Sequence, residues 1–217
     1  MTFAALVGLA ATLPYFDLPT LVQAFDDPRE VIRVQLSRWM AQGLVVPLRR
    51  GAYTLGDTYR RAPVTPAFLA NQLYRPSYLS GVWALSFYGL IPDAVVWLTS
   101  VTTRGPRRFE NPVGLFEYRH LKPTGFFGYE EVRLAGAPIL VASPEKALVD
   151  DWHLSHGEWT TARLAEMRYQ HTDSIDAGRL RTFAGRFESP RLIRAAERWI
   201  ALMTHQRDAD QPGTVTL

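Results

Sequence analysis

The chain has 217 residues, 47% of them hydrophobic and 21% charged, with a formal net charge of +3. This suits one large or two small globular domains. The absence of cysteine rules out disulfides and thiolate metal sites and fits a reducing cytoplasm, the expected location.

The apolar run from Phe3 to Leu13 has no basic leader and breaks off at Pro14, too short to span a bilayer. It is expected to be a first helix, and no membrane association is expected. Pro19 to Phe25 predicts a second short helix after the polar start at Asp17. The most informative stretch follows, Asp27 to Tyr53. Asp27 reads as an N-cap, Pro28 suits the first helical position, and Glu30 completes a capping box. Ile32, Leu36 and Trp39 then recur on one face, with Arg33, Ser37 and Arg38 on or beside the opposite one. Gly43 should stop this helix. Leu44, Val46 and Leu48 alternate as a half-buried strand, Arg49-Arg50-Gly51 makes a tight turn, and Ala52 to Leu55 returns. Three helices and a basic hairpin predict a winged helix-turn-helix over residues 1–62.

Charge is concentrated in the same place. Residues 29–61 hold seven arginines against Glu30 and Asp57, a local balance of +5. Phosphates reward such an arrangement through counterion release, and arginine can pair bidentately with guanine edges. The DNA-binding candidates are Arg29, Arg33, Ser37 and Arg38 on the helix, with Arg49 and Arg50 on the turn. Trp39 shares the packing face and is expected in the core. The bland alternative is a protein-docking module whose arginine face is merely solvated.

Arg60 to Pro66 marks a linker with two prolines, and residues 63–217 form the second predicted domain. Between 64 and 157 the eight basic and eight acidic side chains cancel, which gives this portion no general attraction for nucleic acid. Thr65 to Leu73 and Gly81 to Tyr88 read as helices, and Val95 to Thr103 as a strand. Arg107 to Glu110 and Leu115 to His120 flank a turn at 111–114, and Tyr129 to Leu134 with Pro138 to Ala142 form a pair around Gly136. Ser143 should cap a helix from Pro144 to about Leu154. Glu158 to Thr204 has a helical pattern broken around His171 to Asp176 and at Ser189-Pro190, and residues after His205 look frayed. The predicted class is therefore α+β, a winged helix followed by a mixed α/β domain with a helical C-terminal tail.

Four successive blocks in this second half carry a resemblance. YLSGVWALSFYGLIPDAV, SVTTRGPRRFENPVGLFEYRHLKP, FFGYEEV and ILVASPEKALVDDW resemble, in that order, the AbiEi family of antitoxins and transcriptional regulators. The likeness spans roughly residues 3–155. It implies a winged helix that represses the family's own operon by binding promoter DNA, and a following domain that counteracts an AbiEii-like nucleotidyltransferase toxin. Matching positions include Ser80, Tyr88, Gly89, Arg108, Gly114, Tyr118, Gly128, Pro144 and Lys146. The polar candidates for an antitoxin surface are Arg104, Arg107, Arg108, His120, Lys122, Glu145, Lys146 and Asp150. Any of them can equally be a structural ion pair or cap.

An enzyme is not expected, nor any cofactor. Neither a phosphate-cradling glycine loop nor a Gly-x-Ser-x-Gly elbow is present. His153 and His156 with Asp150, Asp151 and Glu158 could suggest a metal site, but such a pair near a helix end is more often a surface feature. Glu130, Glu131, Glu145 and Lys146 lack the acid-x-Lys spacing of a sheet-borne nuclease. An orphan winged-helix regulator or a protein-interaction adaptor without antitoxin activity is the alternative.

Overall fold

The architecture is α+β. In the computed structural model, which describes residues 1–210, α1 (Phe3–Ala10), β1 (Phe16–Asp17), α2 (Leu18–Ala24) and α3 (Arg29–Ala41) precede a hairpin of β2 (Val45–Arg49) and β3 (Ala52–Leu55). Thr2 caps α1 by accepting the Ala5 amide at 3.2 Å, and Asp17 caps α2 by accepting the Thr20 amide at 3.0 Å. The first helix ends at Ala10, short of the expected Leu13, whose amide turns back onto the Ala10 carbonyl at 3.0 Å. Pro14 disfavours helical backbone in the residue before it.

The start of α3 differs from expectation. Pro28 occupies the cap position with no side-chain cap bond, and Asp27 instead pairs with the Met1 ammonium. Glu30 turns to Arg33, 2.9 Å away, so no capping box forms. The packing face is as expected, with Ile32 and Leu36 fully buried and Trp39 edge-on to Phe3 at 5.3 Å.

In β2 the buried residues are Val45 and Leu48, and the expected alternation of Leu44, Val46 and Leu48 does not hold. The ladder with β3 slips between Pro47 and Arg49, and a bulge there moves every later side chain to the other face. The hairpin then closes through Arg49↔Ala52 around the two residues Arg50 and Gly51, the glycine taking the left-handed φ of 80° that the tight turn needs. Two-residue β1 pairs with β3, giving a sheet of order β1-β3-β2.

Beyond the linker come α4 (Pro66–Leu73), β4 (Ser77–Leu79), α5 (Gly81–Phe87), β5 (Trp97–Thr102), β6 (Arg107–Asn111), β7 (Gly114–His120), β8 (Tyr129–Leu134) and β9 (Ala137–Ala142). The six strands form one sheet, β6-β7-β5-β4-β9-β8, parallel at β5–β7 and β4–β9 and antiparallel elsewhere. Asn111 organises the β6–β7 turn by accepting the Val113 amide at 2.8 Å, and its amide donates to the Leu48 carbonyl at 2.9 Å, tying this turn to the first hairpin.

Ser143 caps α6 (Pro144–Leu154) as expected, accepting the Lys146 amide at 3.4 Å. The tail holds α7 (Thr161–Glu166), α8 (Ala177–Gly185) and α9 (Pro190–Asp210). The helical pattern breaks where expected, but α9 continues past His205 to Asp210, and the remainder of the expected frayed end lies outside the described residues. Buried apolar side chains gather in two clusters, one around Leu6, Leu21, Ile32 and Leu36, the other around Tyr78, Tyr118, Trp152 and Trp199. Leu48 and Ala52 of the first hairpin belong to the second cluster, so the hairpin is seated on the six-stranded half. No helix among the described residues is long and apolar enough to cross a membrane.

Candidate nucleic-acid interface

Arg29 and Arg33, one turn apart on α3, face the hairpin across an open concavity of about 520 Å³ whose other side carries Arg49 and Arg50. The i,i+4 spacing supplies one half of this arrangement and the bulge in β2 the other. A neighbouring concavity of about 510 Å³ is again lined by Arg49 and Arg50, now joined by Arg75, Arg104 and Arg107. Seven arginines therefore border two adjoining hollows, and among the described residues Asp17 is the one carboxylate in either lining. That carboxylate is already engaged as the cap of α2.

The guanidiniums differ in freedom. Arg29, Arg38 and Arg50 are exposed and make no ion pair among the described residues. Arg33 pairs with Glu30, but both are exposed, and an i,i+3 surface pair contributes only about 0.3–0.5 kcal/mol. A phosphate outcompetes it readily. Arg49 is half-buried, donates to the Arg50 carbonyl at 3.1 Å, and leaves its Nε buried without a partner. Arg104 donates to the Arg75 carbonyl at 3.2 Å and lies over the Tyr74 ring at 4.4 Å, which fixes its direction. Ser37 and Arg38 are exposed farther along α3 and do not border either hollow.

Arg75 was not among the sequence candidates. Nothing local marks it, because its place beside Arg104 and Arg107 depends on how β4 and β5 pair across the sheet. The charge balance of residues 64–157 also hides this grouping. Summed along the chain the charges cancel, yet Arg75, Arg104 and Arg107 stand together beside the hairpin while Glu130 and Glu131 lie on the strand at the opposite edge of the sheet.

The eight residues considered for an antitoxin surface do not form one. Arg104 and Arg107 belong to the arginine hollow, and the His120 imidazole Nδ1–H donates to the Arg104 carbonyl at 3.0 Å. Arg108 pairs with Glu117 at 2.5 Å above Trp97, and Lys122 is exposed. Glu145, Lys146 and Asp150 must be removed from any surface, since all three are fully buried. Glu145 accepts from Ser143 Oγ at 3.1 Å and from the Asp176 amide at 3.1 Å, and meets Arg179 at 2.9 Å, which anchors the start of α8. Lys146 pairs with Asp150 between the rings of Phe127 and Phe187, and Asp150 also accepts from Tyr78 Oη at 2.9 Å and Ser80 Oγ at 2.7 Å. Burial pushes the Lys146 ammonium below its ordinary range even against the pull of Asp150.

Asp151, next along α6, is less well served. Burial, opposed by Arg163 and reinforced by Asp150, pushes its carboxyl up to about 6. A carboxyl whose folded pKa exceeds its unfolded value of 3.8 binds its proton more tightly in the native state, so its effect on stability becomes less favourable as pH rises from about 4 to about 6. Asp151→Asn is expected to raise stability by about 1–3 kcal/mol at pH 7 and to change it little near pH 3.5, measured by urea unfolding at both pH values. A gain equal at both would show that Asp151 does not titrate in this window.

Among the described residues no group of three or more His, Cys, Asp or Glu side chains is placed to hold a metal ion. Glu158 is held by Arg194 at 2.5 Å and Arg198 at 3.3 Å, and His156 is exposed. Glu130 and Glu131 are exposed on β8 while Glu145 and Lys146 are buried in α6, so these four do not converge. No protein-family model matches the chain, and no curated protein matches it in sequence.

Proposed function

We propose that the chain is a double-stranded DNA-binding regulator of the winged helix-turn-helix class, with α3 as recognition helix and the β2–β3 hairpin as wing. Within that class it is an AbiEi-type antitoxin that represses its own operon and counteracts an AbiEii-like nucleotidyltransferase. The observation that carries the DNA-binding reading is the surface of seven arginines, on which the wing is shared between the two hollows. The antitoxin reading rests on the four sequence blocks between Tyr78 and Trp152.

In this mechanism Arg29 and Arg33, with Ser37 and Arg38 farther along the same helix, enter the major groove, where guanidinium can meet guanine edges bidentately. Arg50 at the wing tip, with Arg75, Arg104 and Arg107 beside it, follows the phosphate backbone and sets the register. Each phosphate neutralised releases counterions, so affinity falls steeply with salt. Electrophoretic shift of the DNA upstream of the chain's own gene tests the reading. Replacing Arg33 and Arg38 together by alanine should weaken that binding and flatten its salt dependence by about 0.9 log unit per lost phosphate contact. Undiminished binding would remove both from the interface.

One observation favours the adaptor alternative. Val96 is 72% and Trp97 37% exposed on the six-stranded half, apolar surface of the kind that meets protein partners. The adaptor reading predicts no shift of any duplex.

A further inference from the structure

A third concavity lies where the large sheet splits. Parallel β4 and β9 meet at Leu79↔Val141, and nearer their starts the Asn71 side chain of α4 fills the gap, donating to the Leu140 carbonyl at 3.2 Å and accepting its amide at 2.7 Å. Beside that amide opens a hollow of about 370 Å³, within the roughly 300–1,000 Å³ of small-molecule sites. Phe126 and Tyr129 line it with ring centroids 5.2 Å apart, and Tyr129 is held by stacking on buried Tyr78 at 4.6 Å. Ile139 and Leu140 extend the apolar lining.

Two opposite charges share this lining. Arg75 and Glu131 are both exposed, and neither the guanidinium nor the carboxylate has a partner among the described residues, each other included. Glu131 stands two residues beyond Tyr129 on β8, hence on the same side of the strand. A cation and an anion that border one apolar hollow without meeting leave space for a ligand carrying the complementary pair. Guanidinium takes a carboxylate in a fork, a carboxylate takes an ammonium, and the ring wall takes an aromatic group.

We propose that this hollow binds a free aromatic α-amino acid, its carboxylate on Arg75, its ammonium on Glu131 and its ring against Phe126 and Tyr129. The site also reaches the arginine surface, because Arg75 and Gln72 line both. A ligand carboxylate on Arg75 withdraws that guanidinium from phosphate, so the amino acid lowers affinity for DNA, and DNA lowers affinity for the amino acid by the same factor. The coupling rests on the DNA-binding reading; the amino-acid site does not.

Calorimetric titration of the full chain with phenylalanine, phenylalaninamide and N-acetylphenylalanine tests the site. Phenylalanine should bind, and loss of either ligand charge, or the substitution Arg75→Ala or Glu131→Gln, should weaken binding about tenfold or more, with the unfolding midpoint of each variant unchanged. Absence of binding by phenylalanine, tyrosine and tryptophan, or binding indifferent to both substitutions, overturns the site. In a gel shift at fixed salt, saturating phenylalanine should raise the apparent Kd for duplex about threefold or more in the native chain. An unchanged Kd overturns the coupling while calorimetry upholds the site, and a chain that shifts no duplex at all overturns the coupling through the DNA-binding reading.

Discussion

Replacing Arg29, Arg33 and Arg50 together by alanine is expected to weaken binding to upstream duplex DNA about a hundredfold or more at physiological salt. These residues stand on both sides of the hollow between α3 and the hairpin, and none of them is held by a buried acid. Each removed contact to phosphate or base edge forfeits about 1 kcal/mol or more, and three together reach two decades in affinity. The salt dependence should flatten by roughly three units of log–log slope, because fewer counterions are released. The fold should be indifferent, since all three side chains are exposed. The same variant separates the two proposed activities: co-expressed with the cognate nucleotidyltransferase, it should still rescue growth while failing to repress the operon. Loss of both from a folded variant would argue that toxin control passes through DNA.

The largest effect on stability is expected inside the second half. Lys146→Met leaves the Asp150 carboxylate buried with only two hydroxyl donors, and Asp150→Asn leaves the Lys146 ammonium among aromatic rings without its counter-ion. Removing one partner of a buried pair costs about 3–5 kcal/mol. That is a large share of the roughly 5–15 kcal/mol that holds a domain folded. The double variant should cost clearly less than the two singles added, because the introduced methionine fills the slot between Phe127 and Phe187 and the introduced amide still accepts from Tyr78 and Ser80. Urea unfolding of the three variants gives the coupling directly. Strict additivity, or single costs under about 1 kcal/mol, would show that the pair is dispensable.

What could be read from the chain, and what could not, divides along the range of the interactions. The helix carrying Ile32 and Leu36, the turn at Arg50-Gly51, the Asn111 turn and the Ser143 cap are written in residues three or four apart, and those elements stand where expected. Strands β1 and β4 have two and three residues, and they exist only because Phe16 meets Tyr53 and Leu79 meets Ser100 and Val141. No local pattern announces such pairings. The capping box failed for a related reason, as Asp27 found a partner outside its own helix.

The candidate site divides in the same way. Arg29 and Arg33 follow from helical spacing, but the bulge at Leu48 that aims Arg49, and the arrival of Arg75, Arg104 and Arg107 beside the wing, are products of sheet packing. Glu145, Lys146 and Asp150 mislead because charged side chains are almost never fully buried unless paired, and here each of them is paired.

The arginine surface is tested most directly by measuring the affinity of the native chain for its upstream duplex, by fluorescence anisotropy, across about 0.05–0.3 M monovalent salt. If about six of the seven guanidiniums neutralise phosphates, log Kd should climb with log salt at a slope of about 5, and an unrelated duplex should bind at least a thousandfold more weakly. A slope near zero, or no binding at the lowest salt, would contradict the account.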